Sequence, residues 1–346
     1  MNKNRIYKIL AIIAVFAIWR LFVANNTTQP EAEATAEIHL TGTTMGPIPY
    51  SIKYMDEQGR DFQTEIDALL NAFNNSLSTY IPSSEISRFN TDDFFEFETD
   101  FFYPVLLTSK EVYEKTGGAF DPTIGPLVNA WGFGPEKSEG PDSLEVDSLL
   151  SIIGFDKVVF DENTARKQPG MYLDLSAVAK GNGIDVVAEF LRGKGIVNFM
   201  VEIGGEVVCQ GHSKAARPWV IGIQKPTLKS ESSELLAKIS MKDIAIATSG
   251  NYRNYYVKDG KMIAHTISPF TGYPESSNLL SASVFAKNCT LADAYATACM
   301  VLGLEKSKQL IDEIDGLECF FIYTDEQGDY QTYTSEGIAP HIEVVE

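Results

Sequence analysis

The segment 171-MYLDLSAVAKGNGIDVVAEFLRGKG-195 predicts a strand, a turn and a helix in direct succession. Ser176 is a candidate cap for this helix, because its hydroxyl can accept from a free amide of the first turn. The apolar stripe of the helix recurs at helical spacing through Val178, Ile184, Val187, Ala188 and Leu191. The strand predicted next, 197-VNFMVEIGGEVVCQG-211, contains a glycine pair, which indicates a bulge or a close backbone approach.

Helices and strands flank this unit on both sides without regular alternation. On the N-terminal side, segments 38–46 and 48–56 predict a hairpin, and helices are predicted over 62–77 and 104–115. On the C-terminal side, strands are predicted at 218–223, 244–250, 254–265 and 280–286, the third folded at 259–260. This mixed order predicts an α+β fold with mainly antiparallel sheet.

Composition restricts the classes of ligand. The 346 residues carry a formal net charge of −19, which argues against nucleic-acid binding because phosphate backbones need clustered Lys and Arg. An anionic ligand would therefore be held locally, by backbone amides, one or two cations or a metal ion. None of the four cysteines forms a CxxC pair, so a zinc site is not predicted.

The N-terminus has the pattern of a targeting segment. Lys3, Arg5 and Lys8 precede the apolar run 9-ILAIIAVFAIW-19, which suits a signal peptide or membrane anchor. We therefore predict a signal or anchor at 1–24, a polar linker at 25–37 and one working domain at 38–346. The expected location is the periplasmic face of the cell inner membrane, with the basic end cytoplasmic.

The apolar stretch 291-LADAYATACMVLG-303 predicts a helix that carries Asp293 and Thr297 one turn apart on the same face. Two interpretations remain open at this point. In the first, Thr290 and Asp293 form a capping box, Thr297 bonds back to the carbonyl of Asp293, and Gly303 ends the helix. In the second, the carboxylate and the hydroxyl bind a ligand.

Four loops are rich in Gly, Ser, Thr and Asp and contain aromatic residues, namely 41–46, 78–85, 117–126 and 265–272. Together they offer many backbone amides and hydroxyls beside rings, which suits a ligand with a planar ring and phosphates. The sequence has no GxGxxG fingerprint after a strand, no Walker A motif and no GxSxG elbow. Only His265 of the four histidines lies in these loops, which argues against a Ser-His-Asp hydrolase.

Eight motifs occur in the order TTMG, STYIPSSEISRFN, FDPTIGPLVNAWGFGP, DLSAVAKGNGID, NFMVEIGGEV, TSGNYRNYY, HTISPFTG and DAYATACMVLG. This order, from about Gly42 to Gly303, closely resembles the ApbE family of FAD:protein FMN transferases. The resemblance implies an α+β fold with two sheet-and-helix halves around a flavin cleft. It also implies Mg²⁺-dependent cleavage of FAD, with FMN attached through a phosphoester to a Thr or Ser of a target flavoprotein and AMP released. Such acceptors include subunits of membrane redox complexes.

The resemblance also assigns residues by position. The metal ligands it implies are the side chains of Asp293 and Thr297 and the carbonyl of Ala177, an oxygen set that suits Mg²⁺. The residues it places against FAD are Met45, Tyr80, Ala119, Asp121, Lys180, His265 and Ile267. The catalytic residues it implies are Asp293, His265 and Lys180.

The sequence departs from the family pattern at several positions. Ser268 stands where the family usually has Asp in HxIDPxTG, and Pro47 and Asn182 replace a common Thr and Tyr. No cysteine lies near the N-terminal segment, so a lipid anchor is not predicted.

Two alternatives to the transferase remain open from the sequence. The first is a periplasmic FAD pyrophosphatase, which would use the same site with water as the acceptor. The second is a flavin-binding protein without turnover, in which Asp293 and Thr297 are only structural.

Overall fold

The computed structural model describes residues 36–345 apart from 135–137, 139, 227–233, 252–254 and 259–260. The predicted N-terminal signal or anchor, most of the predicted linker and the predicted turn at 259–260 lie outside the described residues. Among the described residues, no helix combines the length and the apolar character needed to cross a bilayer. The first described strand begins at Ala36, two residues before the predicted start of the working domain.

The strands are, in chain order, β1 (Ala36–Thr44), β2 (Ile48–Asp56), β3 (Phe94–Glu96), β4 (Val159–Phe160), β5 (Thr164–Arg166), β6 (Phe199–Ile203), β7 (Glu206–Gln210), β8 (Trp219–Gln224), β9 (Leu235–Met241), β10 (Ile244–Gly250), β11 (Tyr255–Lys258), β12 (Lys261–Ala264), β13 (Leu279–Ala286), β14 (Glu318–Thr324), β15 (Tyr330–Thr334) and β16 (Ile342–Val344). The helices are α1 (Gln63–Leu77), α2 (Glu85–Thr91), α3 (Phe102–Lys115), α4 (Gly125–Ala130), α5 (Ser143–Ile152), α6 (Ser176–Gly193), α7 (Cys289–Leu302) and α8 (Leu304–Glu313).

One eight-stranded sheet forms the centre of the molecule, in the order β1-β2-β6-β7-β10-β13-β14-β15. Every neighbouring pair in it is antiparallel, which confirms the predicted α+β class with mainly antiparallel sheet. Its N-terminal and C-terminal strands meet where β7 pairs with β10, for example at Cys209 and Ile244. The two predicted halves therefore share one continuous sheet.

The two faces of this sheet are covered differently. Side chains alternate along β6, so that Phe199 and Val201 pack with Ile184 and Val187 of α6, while Met200 points to the other face. On that other face, the small sheet β16-β9-β8 packs through Trp219, Ile223, Ala237 and Ile239. The molecule is thus layered as helices, large sheet and small sheet, and the four cysteines are all buried without a disulfide.

Two local predictions are corrected. The segment 197–211 is not one strand but the hairpin β6–β7, because Gly204 and Gly205 turn the chain with φ of 64° and 106°. Such positive values favour glycine, which lacks a Cβ. Ser176 does not cap α6; Leu175 occupies the N-cap position, and Ser176 is the first helical residue.

Candidate active site

A cavity of about 360 Å³ opens where α6, α7, β10 and three of the loops that the sequence singled out come together. Nine of the ten residues that the resemblance assigned line it, namely Tyr80, Ala119, Asp121, Ala177, Lys180, His265, Ile267, Asp293 and Thr297. Met45 is absent from this lining; it adopts a positive φ of 50° and packs, half-buried, against the main core. The contact of Met45 with the ligand stays a prediction.

The start of α7 rules out the capping-box interpretation. The N-cap is Asn288, whose side chain accepts from the amide of Leu291 at 2.9 Å. Thr290 is instead held by Asp185 of α6, which accepts from its amide at 2.8 Å and from its hydroxyl. Asp293 is consequently the fifth residue of the helix rather than the third, while Gly303 ends the helix as predicted.

Asp293 projects from α7 into the base of the cavity with only 5% of its surface exposed. Its carboxylate accepts from the backbone amide of Gly181 at 2.9 Å. Burial, opposed by the nearby cation of Lys180 and reinforced by the carboxylate of Glu206, raises the pKa of Asp293 to about 7. A cation bound beside this carboxylate would stabilise its charged form.

The first turns of α6 bring a second oxygen to the same place. The amide of Gly181, which in a regular helix faces the carbonyl of Ala177 one turn earlier, donates to Asp293. The carboxylate therefore lies beside the helix turn that carries the carbonyl that the resemblance implies as a metal ligand. The arrangement requires close helix packing, because a Cβ on Gly181 would lie 2.2 Å from the carbonyl oxygen of Cys289.

We expect Gly181→Ala to destabilise the protein by a few kcal/mol, since the added methyl must push α6 away from α7 backbone rather than from a flexible side chain. Gly193→Ala is the matched control, because it lies at the end of the same helix with open space around its Cβ position. There the exchange should be neutral or stabilising by up to about 1 kcal/mol. Thermal denaturation of both variants tests this, and equal melting temperatures would refute the close packing.

Lys180 carries the positive charge of the cavity wall. Its Nζ lies 2.7 Å from Oε1 of Glu206, which is buried at the start of β7. Burial alone would favour the neutral amine, but the carboxylates of Glu206 and Asp293 outweigh it and raise the pKa of Lys180. The side chain is therefore an ammonium at neutral pH and provides a fixed cation for an anionic ligand.

The hydroxyl of Thr297 lies one turn after Asp293 and 3.3 Å from the hydroxyl of Ser249 on β10. Asp293, Thr297 and Ala177 together present one carboxylate, one hydroxyl and one carbonyl to the cavity. This donor set fits Mg²⁺, which takes few protein ligands and completes its shell with water and substrate phosphates. In the described part of the chain no group of three or more His, Cys, Asp or Glu could hold a metal ion.

The remaining walls provide apolar and ring surface. Asp121 accepts from the amide and the hydroxyl of Thr123 at 2.8 and 2.6 Å, and its carboxylate thereby caps the 3₁₀ turn Pro122–Ile124. Burial raises the pKa of Asp121. His265 lies with its ring 6.3 Å from that of Phe133, and Ile267 is buried behind it.

Tyr80 stands at the mouth of the cavity with 69% of its surface exposed, which leaves its ring available for stacking. We expect Tyr80→Ala to weaken FAD binding about tenfold, since ring stacking contributes on the order of 1 kcal/mol beyond area burial. Because the side chain has little packing to lose, the melting temperature should not change. Fluorescence quenching of FAD measures the affinity, and an unchanged dissociation constant would exclude Tyr80 from the ligand contact.

Several cavity residues were not assigned from the sequence, among them the polar residues Asp174, Glu206, Thr248 and Ser249. Glu206 directly follows the glycine pair in a mostly apolar segment, and this charged residue was the signal that could have indicated it. Ser268, which replaces the family's Asp, is buried outside the lining and holds its turn through an amide hydrogen bond to the carbonyl of Tyr273 at 2.9 Å. This chain therefore has no carboxylate at this position, and Ser268 itself does not line the cavity.

Comparison with known proteins agrees with this geometry. The ApbE family model matches residues 45–321. The FAD:protein FMN transferase of Vibrio cholerae is 39% identical over 338 residues, covering 94% of this chain and 98% of that protein. The enzyme of the same name from Escherichia coli K12 is 34% identical over 336 residues, covering 93% and 95%.

Solved structures show the same fold. The flavin transferase ApbE from Vibrio cholerae superposes with a TM-score of 0.79 at 38% identity, covering 89% of this chain and 99% of that one. The apo flavinyl transferase ApbE of Pseudomonas stutzeri gives 0.80 at 29% identity, covering 89% and 97%. Family model, relatives and structures agree, and the chain therefore belongs to the ApbE family of flavin transferases.

Proposed function

We propose that this protein cleaves the pyrophosphate of FAD in a Mg²⁺-dependent reaction and transfers FMN to a Thr or Ser hydroxyl of an acceptor flavoprotein. The observation that carries the proposal is the buried Asp293 beside the Lys180–Glu206 ion pair at the base of the cavity. A carboxylate that shares its site with a fixed ammonium and oxygen donors suits a metal and a pyrophosphate together.

The reaction balances without any further reactant. The acceptor hydroxyl attacks the phosphorus on the FMN side, a new P–O bond forms, and the bond to the bridging oxygen breaks. AMP leaves with the electron pair of that bond, and the hydroxyl proton is released. When bound, Mg²⁺ supplies charge neutralisation for the pyrophosphate.

The residues of this chain hold the substrate. The ammonium of Lys180 faces the phosphates, and the ring of Tyr80 and the apolar wall around Ile267 enclose the rings of FAD. His265 lies on the same wall, within the group of residues that would surround the reacting phosphates. We also propose that His265 moves the proton of the acceptor hydroxyl.

We also propose that the protein acts at the periplasmic face of the inner membrane. The basic start and the apolar run to Trp19 support an export signal or membrane anchor, with the cavity on the periplasmic face of the inner membrane. The acceptor would then be a membrane-associated flavoprotein on the same face.

The test is incubation of the purified protein with FAD, Mg²⁺ and the extracytoplasmic proteins of its host, followed by peptide mass spectrometry. The expected result is one Thr- or Ser-containing peptide that carries FMN, together with stoichiometric AMP. Release of FMN and AMP in equal amounts without a modified peptide would show a pyrophosphatase instead. Intact FAD with Mg²⁺ and acceptor present would overturn catalysis altogether.

A further inference from the structure

A second cavity of about 480 Å³ lies beside the first, in the open end of the space between the large sheet and the small sheet. We call it the side groove. It is bounded by β8 on one side and by the β6–β7 hairpin on the other, with lining residues between Met200 and Val207 and between Val220 and Gln224. Its two walls belong to different sheets, so its floor is the apolar layer between them.

The side groove adjoins the candidate active site. Glu206 and Thr248 line both cavities. Glu206 is the residue whose Oε1 lies 2.7 Å from the ammonium of Lys180. Thr248 precedes Ser249, whose hydroxyl lies 3.3 Å from that of Thr297. The two cavities therefore share part of their wall beside the residues proposed to hold the metal and the phosphates.

The groove offers a strand edge. Within the described residues, β8 pairs only with β9, so its other side presents backbone donors and acceptors to the groove. Val220 on this strand is 62% exposed, and Gly222 carries no side chain. An exposed edge of this kind accepts an additional extended segment through main-chain hydrogen bonds.

The charged residues in the lining limit which segments can bind in the side groove. Glu202 and Glu206 are the two charged residues in the described lining. Burial raises the pKa of Glu202, and the opposing effect of Lys53 does not cancel it. Glu206 is already paired with Lys180, so an acidic segment would be repelled by Glu202, whereas an uncharged or basic one would not. Gly204 and Gly205 lower the rim where a second backbone would pass.

We propose that the side groove binds an extended, uncharged or basic segment of the acceptor protein as an added strand on β8. The groove then directs the Thr or Ser hydroxyl of this segment past Glu206 and Thr248 to the phosphate of bound FAD. This proposal rests on the transferase function proposed above, because only a transferase needs a protein segment at this point.

The test uses the FMN-free form of the acceptor peptide identified by mass spectrometry. Val220→Glu adds a negative charge at an exposed residue of β8 that lines the groove. Val344→Glu is the matched control, because Val344 is 52% exposed on β16, at the opposite edge of the same small sheet. We expect Val220→Glu to raise the KM for the peptide at least about tenfold, and Val344→Glu to leave it unchanged. Both variants should bind FAD like the wild type. Hydrogen exchange should show the amides of β8 protected when the peptide binds.

The other possible results each contradict a different part of the proposal. An unchanged KM in Val220→Glu, or no protection of β8, would overturn the side groove as the acceptor site. If the wild type is a dimer and Val220→Glu a monomer with unchanged KM, the groove is a self-association surface and the proposal is wrong. If the wild type modifies no peptide with FMN, the proposed function fails first, and the side groove is then not an acceptor site.

Discussion

Asp293→Asn should reduce FMN transfer by roughly a thousandfold or more if Asp293 is, as proposed, the charged ligand of the ion that neutralises the pyrophosphate. The fold should survive, since the Asn side-chain oxygen can still accept from the amide of Gly181, as Asp293 does at 2.9 Å. Thr297→Val, which keeps the shape and deletes the oxygen, should show a smaller loss in the same direction. Activity of both variants should recover in part at high Mg²⁺.

Measurements of stability distinguish a metal-binding role of Asp293 from a purely structural one. Because the pKa of Asp293 in the folded chain is raised to about 7 from its ordinary 3.8, the folded state binds the proton more tightly than the unfolded state. The stabilisation from the protonated form is therefore present at low pH and is lost as pH rises through 7. Metal-free Asp293→Asn should accordingly be at least as stable as the wild type at pH 8, and its advantage should shrink at pH 5.

Asp185→Asn is the control, since it also neutralises a carboxylate, here a partly buried one, at the contact of α6 and α7. It should cost about 1–3 kcal/mol of stability, because the amide and hydroxyl of Thr290 lose part of their acceptor. Its transfer rate per folded molecule should stay near that of the wild type. Full activity of Asp293→Asn, or wild-type activity in excess EDTA, would reject the metal assignment.

The pairing of Asp293 with Thr297 could be read from the sequence because four-residue spacing fixes a common helix face whatever surrounds it. The start of the same helix could not. Thr290 and Asn288 are both good capping residues, and the choice between them depends on Asp185, which lies more than 100 residues earlier and takes the amide and hydroxyl of Thr290. A local pattern cannot indicate a partner that only the tertiary fold supplies.

The same reason explains the strand predicted over 197–211. Alternating apolar residues on both sides of Gly204 and Gly205 are compatible with one bulged strand and with a tight hairpin. The structure has the hairpin, in which β6 pairs with β7. The hairpin turn also places Glu206 at the first position of β7, where its carboxylate pairs with Lys180 of α6. A carboxylate that looked incidental in the sequence thus became part of the cavity wall through a turn that the sequence left ambiguous.

Buried charges in this cavity depend on one another, and Lys180 is the only described cation in its lining. Its ammonium satisfies Glu206 directly and lowers the pKa of Asp293 by Coulomb attraction. Removing it leaves two carboxylates close together without a counter-charge, a situation that costs several kcal/mol in buried sites. Stability and catalysis would then fall together, so a single variant cannot separate the two roles of this residue.

Lys180→Met combined with Glu206→Gln separates them. The single variant Lys180→Met should lose roughly a hundredfold in transfer rate at pH 7, since a cation facing the transferred phosphate is removed. Without that cation the pKa of Asp293 rises further above 7, so at subsaturating Mg²⁺ the acid limb of the pH–rate profile should move to higher pH, and part of the rate should return at pH 9. Adding Glu206→Gln should restore the melting temperature but not the rate at pH 7, while Lys180→Arg should keep the acid limb near its wild-type position. If the acid limb of Lys180→Met coincides with that of the wild type, Lys180 does not control Asp293, and its ion pair with Glu206 serves only the fold.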